Sequence, residues 1–556
     1  MANLYDKAGL VNIPVGYQEG FLYNIKPTDN TLAFRFNRDS AATRVNKEGL
    51  IEQVGYFGPE LVTNGDFSTD SDWTKGSAWT IANGQASYDA SAITSIKSAT
   101  TSMVSGKTYR LKFKITTSGF ARLNFTNDSS QALFEPNGNS VNNFDSDEYT
   151  FYLSAQNNST ALKIFAYNNS SGTSFSIDNV SVTEVIGDKP RIDYTDSLTS
   201  PSFLLEPQST NLIAYSEDFS QPTWNKSNTS IQINTTTSPS GNFDGSTLTD
   251  NATSSIHRLR DAVSLSASTN YSLSVFAKKN TLSNIQLALI NTANSNTISK
   301  VFDLENGVIG EELSQGGTTV SDAKIENYGN GWFRCVIVGQ LNSAPNQYQI
   351  TLATKSTGNS QSVKQVTYSG DGTGSVFLYG AQIEQKSYST SYIPTYGSTA
   401  TRAQETCNSA GSASTFNSTE GVLYADIAAL ADDLTFRSIA LSDGTNNNRV
   451  LLRYRTNSNQ INLFIKANGT TIVNSTKELT DITNFSKFAI KYKSGDIALW
   501  IDGVEAKTNT NTFTLIGLDR LNFDAANGSD DFYGKTKGIY VFNEALTDDE
   551  LQQLTT

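Results

Sequence analysis

Flat aromatic rings beside amide and carboxylate side chains are the residue types that hold sugars. A pyranose face presents C–H groups that pack on a ring, while its hydroxyls pair with Asn, Asp and Gln. The chain has five tryptophans, Trp73, Trp79, Trp224, Trp332 and Trp500. Trp73 and Trp224 occur in a repeated phrase together with a phenylalanine, which assigns them to a core. Trp332 follows a Gly-Asn-Gly turn and is also expected to be buried. Trp79 and Tyr88 are less constrained and are the candidates for a carbohydrate platform. Catalytic machinery has little support. A single histidine, His257, excludes a multi-histidine metal centre, and there is no nucleophile elbow, P-loop or HExxH motif. No pair of carboxylates of the kind that cleaves glycosides stands out among the 54 acids. The expectation is a binding protein, not an enzyme.

The elements that must position these residues are strands. "KTYRLKFKITT" (107–117) alternates Tyr109, Leu111, Phe113 and Ile115 with Arg110, Lys112 and Lys114, and "NYSLSVFAKKN" (270–280) repeats the habit. So do "QINLFIKANG" (460–469) and "GDIALWIDGVEA" (495–506), the second with a hairpin signal at Asp502-Gly503. Short alternating strands separated by Asn, Gly and Ser predict antiparallel sandwiches, each sheet with one wet face. One helix is expected, at "NEALTDDELQQLTT", where Thr547 caps and Asp548, Asp549 and Glu550 complement the dipole of the first turn.

The organisation follows from an echo. "ELVTNGDFSTDSDWTK" (60–75) and "NLIAYSEDFSQPTWNK" (211–226) share an apolar pair, an Asp-Phe-Ser core, and a Trp with a following Lys. Each copy opens a long run of alternating strands, closed by "TSFSIDNVSVTEV" (173–185) in the first and "GSVFLYGAQIEQ" (374–385) in the second. Two related sandwiches in tandem are therefore predicted, with Phe67 and Phe219 in equivalent buried positions. At 556 residues the chain exceeds one core, and three or four domains are expected. The boundaries are an extended N-terminal segment at 1–58, sandwiches at 59–187 and 188–402, and a further sandwich at 403–556. The fold class is all-β: tandem antiparallel β-sandwiches of jelly-roll type with an extended N-terminal segment.

The formal charge of −13, from 41 Lys+Arg and 54 Asp+Glu, argues against a nucleic-acid partner. The N-terminus lacks a secretory signal and no stretch is long enough for a membrane helix, so a soluble, non-inserted protein is expected. Two cysteines cannot make a disulfide framework. Cys335 reads as a buried thiol in a strand and Cys407 as part of a polar linker; a bridge between them stays open.

"LVTNGDFSTDSDW" with its closing "SIDNVSV" resembles carbohydrate-binding modules of the jelly-roll type. That resemblance implies a structural Ca²⁺ held by Asn64, Asp66 and Asp178, although Ser68 stands where such a module would carry a Glu; no other cofactor is implied. "LLEPQSTNLIAYSEDFSQPTWNK", "YGNGWFRC" and "LYGAQIEQKSYSTSYIPTYGSTATRA" form a series that resembles the carbohydrate-binding-like domain of bacteriophage tail-fibre and other virion-surface proteins, over roughly 190–405. "LAFRFNRDSAATRVNKEGLIEQV" (32–54) resembles the leader before such domains, and the leader often runs directly into "PRIDYT…LLEPQSTNL"; the first sandwich then looks like an insertion. "GVLYADIA", "ALWIDGVEA" and "GKTKGIYVFNEALTDDELQQL" resemble a concanavalin-type or laminin-G-like sandwich. Together these imply a structural and adhesive fibre or spike on the virion surface. Residues 1–58 would dock to other virion proteins, the sandwiches would bind host-envelope or mucus glycans, and the assembly would be a homotrimer. The alternatives are a polysaccharide depolymerase tailspike and a secreted bacterial glycan-binding adhesin.

Overall fold

The computed structural model describes all of the 556 residues except 1, 19–20, 100, 106, 135–140, 168–172, 187–188, 262, 264, 292–295, 315, 317, 343–345 and 355–365. The described chain is nearly all-β, and the strand pairs of its sandwich sheets are antiparallel. It divides into two units, one of residues 55–186 and 210–402, the other of residues 1–54, 187–209 and 403–556.

The first unit contains both copies of the repeated phrase. In the first sandwich one sheet runs Asp147–Ser154, Thr108–Thr117, Phe175–Ile186, Gln85–Tyr88, Trp79–Ala82, with Tyr56–Glu60 added on Phe175–Ile186. In the second the corresponding order is Trp332–Gln340, Asn270–Lys279, Ser375–Glu384, Gly245–Asp250, Thr229–Thr236. The facing sheets correspond as well: Ala121–Thr126, Lys163–Ala166, Thr94–Ser98, Trp73–Lys75 against Asn284–Asn291, Asn346–Ala353, Arg258–Asp261, Asn225–Ser227.

The repeated phrase does the same physical work in each. Phe67 and Phe219 are fully buried, each with its ring centroid 5.0 Å from that of its tryptophan, Trp73 or Trp224. Each indole N–H donates to a backbone carbonyl of the opening loop, Trp73 to Asn64 and Trp224 to Tyr215, both at 2.9 Å. Burying an indole without that partner would leave its donor unpaired, so ring and loop are retained together. The amide of Leu61 donates to Val182 O and that of Leu212 to Ile383 O, both at 2.9 Å, tying each opening to its closing strand. The hydroxyls of Tyr109 and Tyr271 each accept an amide from the turn five residues upstream, Val104 or Ser266.

The second unit is a sandwich assembled from three stretches of chain. One sheet runs Arg191–Asp193, Ser202–Leu205, Gly534–Phe542, Glu420–Ala429, Ser486–Lys493, Asp496–Ile501, Val504–Asn509; the other runs Thr470–Glu478, Gln460–Ala467, Arg449–Tyr454, Arg437–Ser442, Arg520–Asn522. The hairpin at Asp502-Gly503 forms with both residues at positive φ, 46° and 80°. The closing helix, Asp548–Thr555, carries the expected Thr547 cap, completed by Glu550 as a capping box.

The N-terminal segment is not an independent extension. Ala8–Asn12 pairs with Gly534–Phe542, and Leu10, Leu22, Phe34 and Phe36 join the core between the two sheets. Leu4, Ala8 and Val11 pack outside the first sheet with Val422, Tyr424, Trp500 and Leu551 of the closing helix, where Lys7 bridges Glu544 and Glu550 at 3.0 and 2.7 Å. The reading of residues 1–58 as a separate extended segment is thereby corrected: apolar residues of this stretch complete the core of the last sandwich. Both cysteines are buried and free, and Cys407 lies in the strand Thr406–Asn408, not in a linker.

Candidate functional site

Strand alternation puts Tyr109, Leu111, Phe113 and Ile115 of Thr108–Thr117 in the first sandwich's core, so Arg110, Lys112 and Lys114 face outward. Register places Thr150 and Ser181 on either side of Lys112, and Glu148 beside Lys114. A bulge between Lys112 and Lys114 shifts the ladder with Phe175–Ile186, and Asn179 of that strand adopts φ 52°. Glu60, Val62, Gly65 and Asp66 of the opening loop supply the adjoining wall. The result is an open groove of about 650 Å³, within the range of small-ligand sites.

The loop wall is tightly fixed. Glu60 accepts from the amides of Val62 and Val182 at 3.0 and 2.8 Å and from Ser181 Oγ at 2.6 Å. Gly65 lies so close to the closing strand that an added Cβ would stand 1.8 Å from Val180 O; only glycine fits. The cations are less committed. Arg110 lies over the Phe57 ring at 3.8 Å, and its buried Nε has no hydrogen-bond partner among the described residues. Lys114 and Glu148 are 3.9 Å apart, and Lys112 is exposed. The groove thus offers guanidinium and ammonium donors with flanking hydroxyl and amide groups, suited to a hydroxyl-rich or anionic ligand.

The residues expected to form the carbohydrate platform lie elsewhere. Trp79 and Tyr88 are 3% and 1% exposed. They face each other across a hairpin, and both pack on Phe175 inside the sandwich, at 5.6 and 5.2 Å. The Tyr88 hydroxyl donates to Ala92 O at 2.8 Å. Neither ring is available to a sugar. Their strands alternate Trp79 with Ile81 and Ala86 with Tyr88 on the buried face, and that pattern was the signal for core.

The expected calcium ligands are committed to loop geometry. Asn64 donates its amide to Thr69 O and Ser71 O, both at 2.8 Å, while its oxygen accepts from Ser68 and Thr69. Asp66 accepts from the Ser68 amide at 3.3 Å, and Asp178 from the Asn179 amide at 2.6 Å. Among the described residues no group of three or more His, Cys, Asp or Glu side chains could hold a metal ion. Calcium takes six to eight oxygens; here an oxygen of each of the three side chains accepts from a neighbouring donor instead.

The second sandwich has a different cluster. Glu217 accepts from the hydroxyls of Tyr379 and Tyr392 at 3.1 and 3.0 Å, and Tyr392 is in turn 2.7 Å from Ser216 Oγ. Burial, reinforced by the charge of Asp244, pushes the Glu217 carboxyl up to about 7 against the opposing pull of the tyrosines. An unfolded glutamate ionises near 4.5, so between there and about 7 the native state alone keeps the proton. Stability from this residue is full below that window, falls as pH rises through it, and is flat above. Some solvent contact screens the effect, which stays below about 3 kcal/mol. Urea midpoints at pH 5 and pH 8 should therefore lie closer together in Glu217→Gln than in the parent chain; an equal spacing would show that the carboxyl ionises normally.

Residues 427–552 match the family described as Concanavalin A-like lectin/glucanases superfamily (Laminin G 3). No curated protein matches the chain. Among solved structures, it is similar to the sialidase CBM40 of Ruminococcus gnavus bound to sialyllactose, at 14% identity over 25% of this chain and 84% of that one, TM-score 0.22. Domain 4 of the arabinanase AbnA from Geobacillus stearothermophilus, in complex with arabinotriose, is 12% identical over 30% of this chain and 82% of that one, TM-score 0.23. The CBM22 tandem of Xyn10C from Paenibacillus barcinonensis is 9% identical over 60% of this chain and 98% of that one, TM-score 0.20.

Proposed function

We propose that this protein is a non-catalytic, glycan-binding component of a bacteriophage particle surface. The observation that carries the binding half is the groove over Arg110, Lys112 and Lys114, an open polar site on a rigid sheet of the first sandwich. The particle half rests on the ordered series of phrases across residues 190–405 that resembles virion-surface proteins. Host-envelope or mucus glycans are the ligands this reading names. A homotrimer would present three copies of each sandwich, and many weak contacts on one particle give avidity that no single site needs to supply.

The groove is tested by replacing its two lysines. A Lys112→Gln, Lys114→Gln variant should bind a responsive host glycan at least about tenfold more weakly, the equivalent of about 1.4 kcal/mol, with an unchanged melting temperature. Glycan array and calorimetry read the first quantity, thermal unfolding the second. Binding that survives both substitutions would remove the groove from the account.

A further inference from the structure

The second unit carries an unpaired cationic row on its outer surface. In Arg449–Tyr454 the core takes Val450, Leu452 and Tyr454, so Arg449 and Arg453 face outward, with Arg455 just beyond the strand. Lys466 stands opposite Arg449 on the neighbouring strand. None of the four makes an ion pair among the described residues, whereas Arg437 and Arg520 of the same sheet are paired with Asp433 and Asp519.

The row is ordered in spite of this. The Arg453 guanidinium lies between two rings, 4.7 Å from the centroid of Phe436 and 4.9 Å from that of Phe464. Its Nε donates to Asn462 Oδ1 at 3.0 Å. Arg449 also packs on Phe464, at 5.4 Å, and its Nη1 donates to Asn446 Oδ1 and Ala525 O at 2.6 and 2.5 Å; Arg455 donates to Thr476 Oγ1 at 3.3 Å. The buried Nε atoms of Arg449 and Arg455, and the Oγ of fully buried Ser438 across the ladder from Arg453, have no hydrogen-bond partner among the described residues. Desolvation first, then the charges of Arg455 and Arg449, lower the affinity of Arg453 for its proton, and Asp530 opposes them. Like charges held together on a sheet destabilise it, so in a chain of net charge −13 this row is a cost to the fold that an anionic ligand would offset.

Strand geometry sets the spacing. Successive outward positions are about 7 Å apart, so Arg449 and Arg453 are separated by about 13 Å and Arg455 extends the row by about 7 Å. A single small anion cannot span it; a linear polymer with regularly placed charges can. We propose that Arg449, Arg453, Arg455 and Lys466 bind an acidic polysaccharide through carboxylate or sulfate groups on successive units. Planar guanidinium groups held against rings are preorganised for paired hydrogen bonds to such oxyanions. This surface belongs to the last sandwich and is separate from the groove over Lys112, so either site can fail without the other.

The test uses the full chain and three polymers: polygalacturonate for carboxylate, dextran sulfate for sulfate, and neutral dextran. An Arg449→Gln, Arg453→Gln, Arg455→Gln variant should bind at least one acidic polymer about tenfold or more weakly than the parent, with an unchanged or higher melting temperature. The Lys112→Gln, Lys114→Gln variant should leave most of that affinity in place. Which acidic polymer responds identifies the group recognised. Should the triple variant fail to fold, Arg455→Gln alone, the substitution that disturbs no ring stack, should weaken binding by about threefold. Retained affinity in whichever of these variants folds, equal competition by neutral dextran, or equally tight binding of duplex DNA would each overturn the proposal.

Discussion

Replacing Glu405 by alanine is expected to destabilise the second unit by about 3–5 kcal/mol, a large part of what a folded domain has to lose. Glu405 is fully buried, between Arg38 at 2.6 Å and Arg191, whose Nε donates at 2.8 Å and whose terminal nitrogen holds the second carboxylate oxygen. Arg191 also pairs with Glu206 at 2.8 Å, and the Glu206 amide donates to Glu405 at 2.8 Å. Further guanidinium hydrogens go to backbone carbonyls, of Ser40 and Val54 from Arg38 and of Thr43 from Arg191. Each member of the quartet lies close to a place where the chain leaves or rejoins this unit: Arg38 bonds the last residue before the first break, Arg191 follows it, Glu206 precedes the second break, and Glu405 follows that one. The quartet therefore clasps three separate stretches into one sandwich. Removing its central carboxylate withdraws a buried anion from both guanidinium groups, while Arg191 keeps Glu206. Hydrogen exchange of peptides from Gly534–Phe542, read beside peptides of the first unit, measures the loss where it occurs. Protection equal to that of the parent would show that the clasp is dispensable.

Deleting residues 1–30 is expected to have a still larger effect. The deletion removes the strand Ala8–Asn12 from Gly534–Phe542 and takes Leu4, Leu10, Val11 and Leu22 out of two buried clusters. Loss of one buried aliphatic side chain costs roughly 2–5 kcal/mol, so four cost roughly 8–20 kcal/mol before the lost strand is counted, against the roughly 5–15 kcal/mol that holds a domain folded. The truncated chain should lose cooperative unfolding of the second unit, while the first unit keeps its own transition. A detachable anchor would behave otherwise. Two calorimetric transitions at their original temperatures would restore the reading of this segment as a free arm.

Much of the fold was legible in local pattern. Alternation located Thr108–Thr117 and Asn270–Lys279, and the repeated Asp-Phe-Ser and Trp located the two equivalent loops, because the same indole must find the same kind of carbonyl in each. The same alternation held the groove: the cations of "YRLKFK" could only face outward once the intervening residues were assigned to core. What local pattern could not supply was pairing across the chain. Ala8–Asn12 meets Gly534–Phe542 with almost the whole sequence between them, and Arg38, Arg191, Glu206 and Glu405 are single residues in unlike phrases. Trp79 and Tyr88 were misassigned for another reason. Ring type suggested sugar, whereas Ile81 and Ala86 in alternate positions marked the face that folds inward.

The most direct test of the proposed role is to incubate the full chain with purified host capsule or envelope polysaccharide and follow two quantities together, protein bound and polymer length. Saturable binding with polymer length unchanged, weakened by Lys112→Gln, Lys114→Gln, is the result expected of a glycan-binding surface protein. Protein-dependent shortening of the polymer would contradict it and make the chain an enzyme; absence of binding to any envelope polysaccharide of a susceptible host would contradict it from the other side.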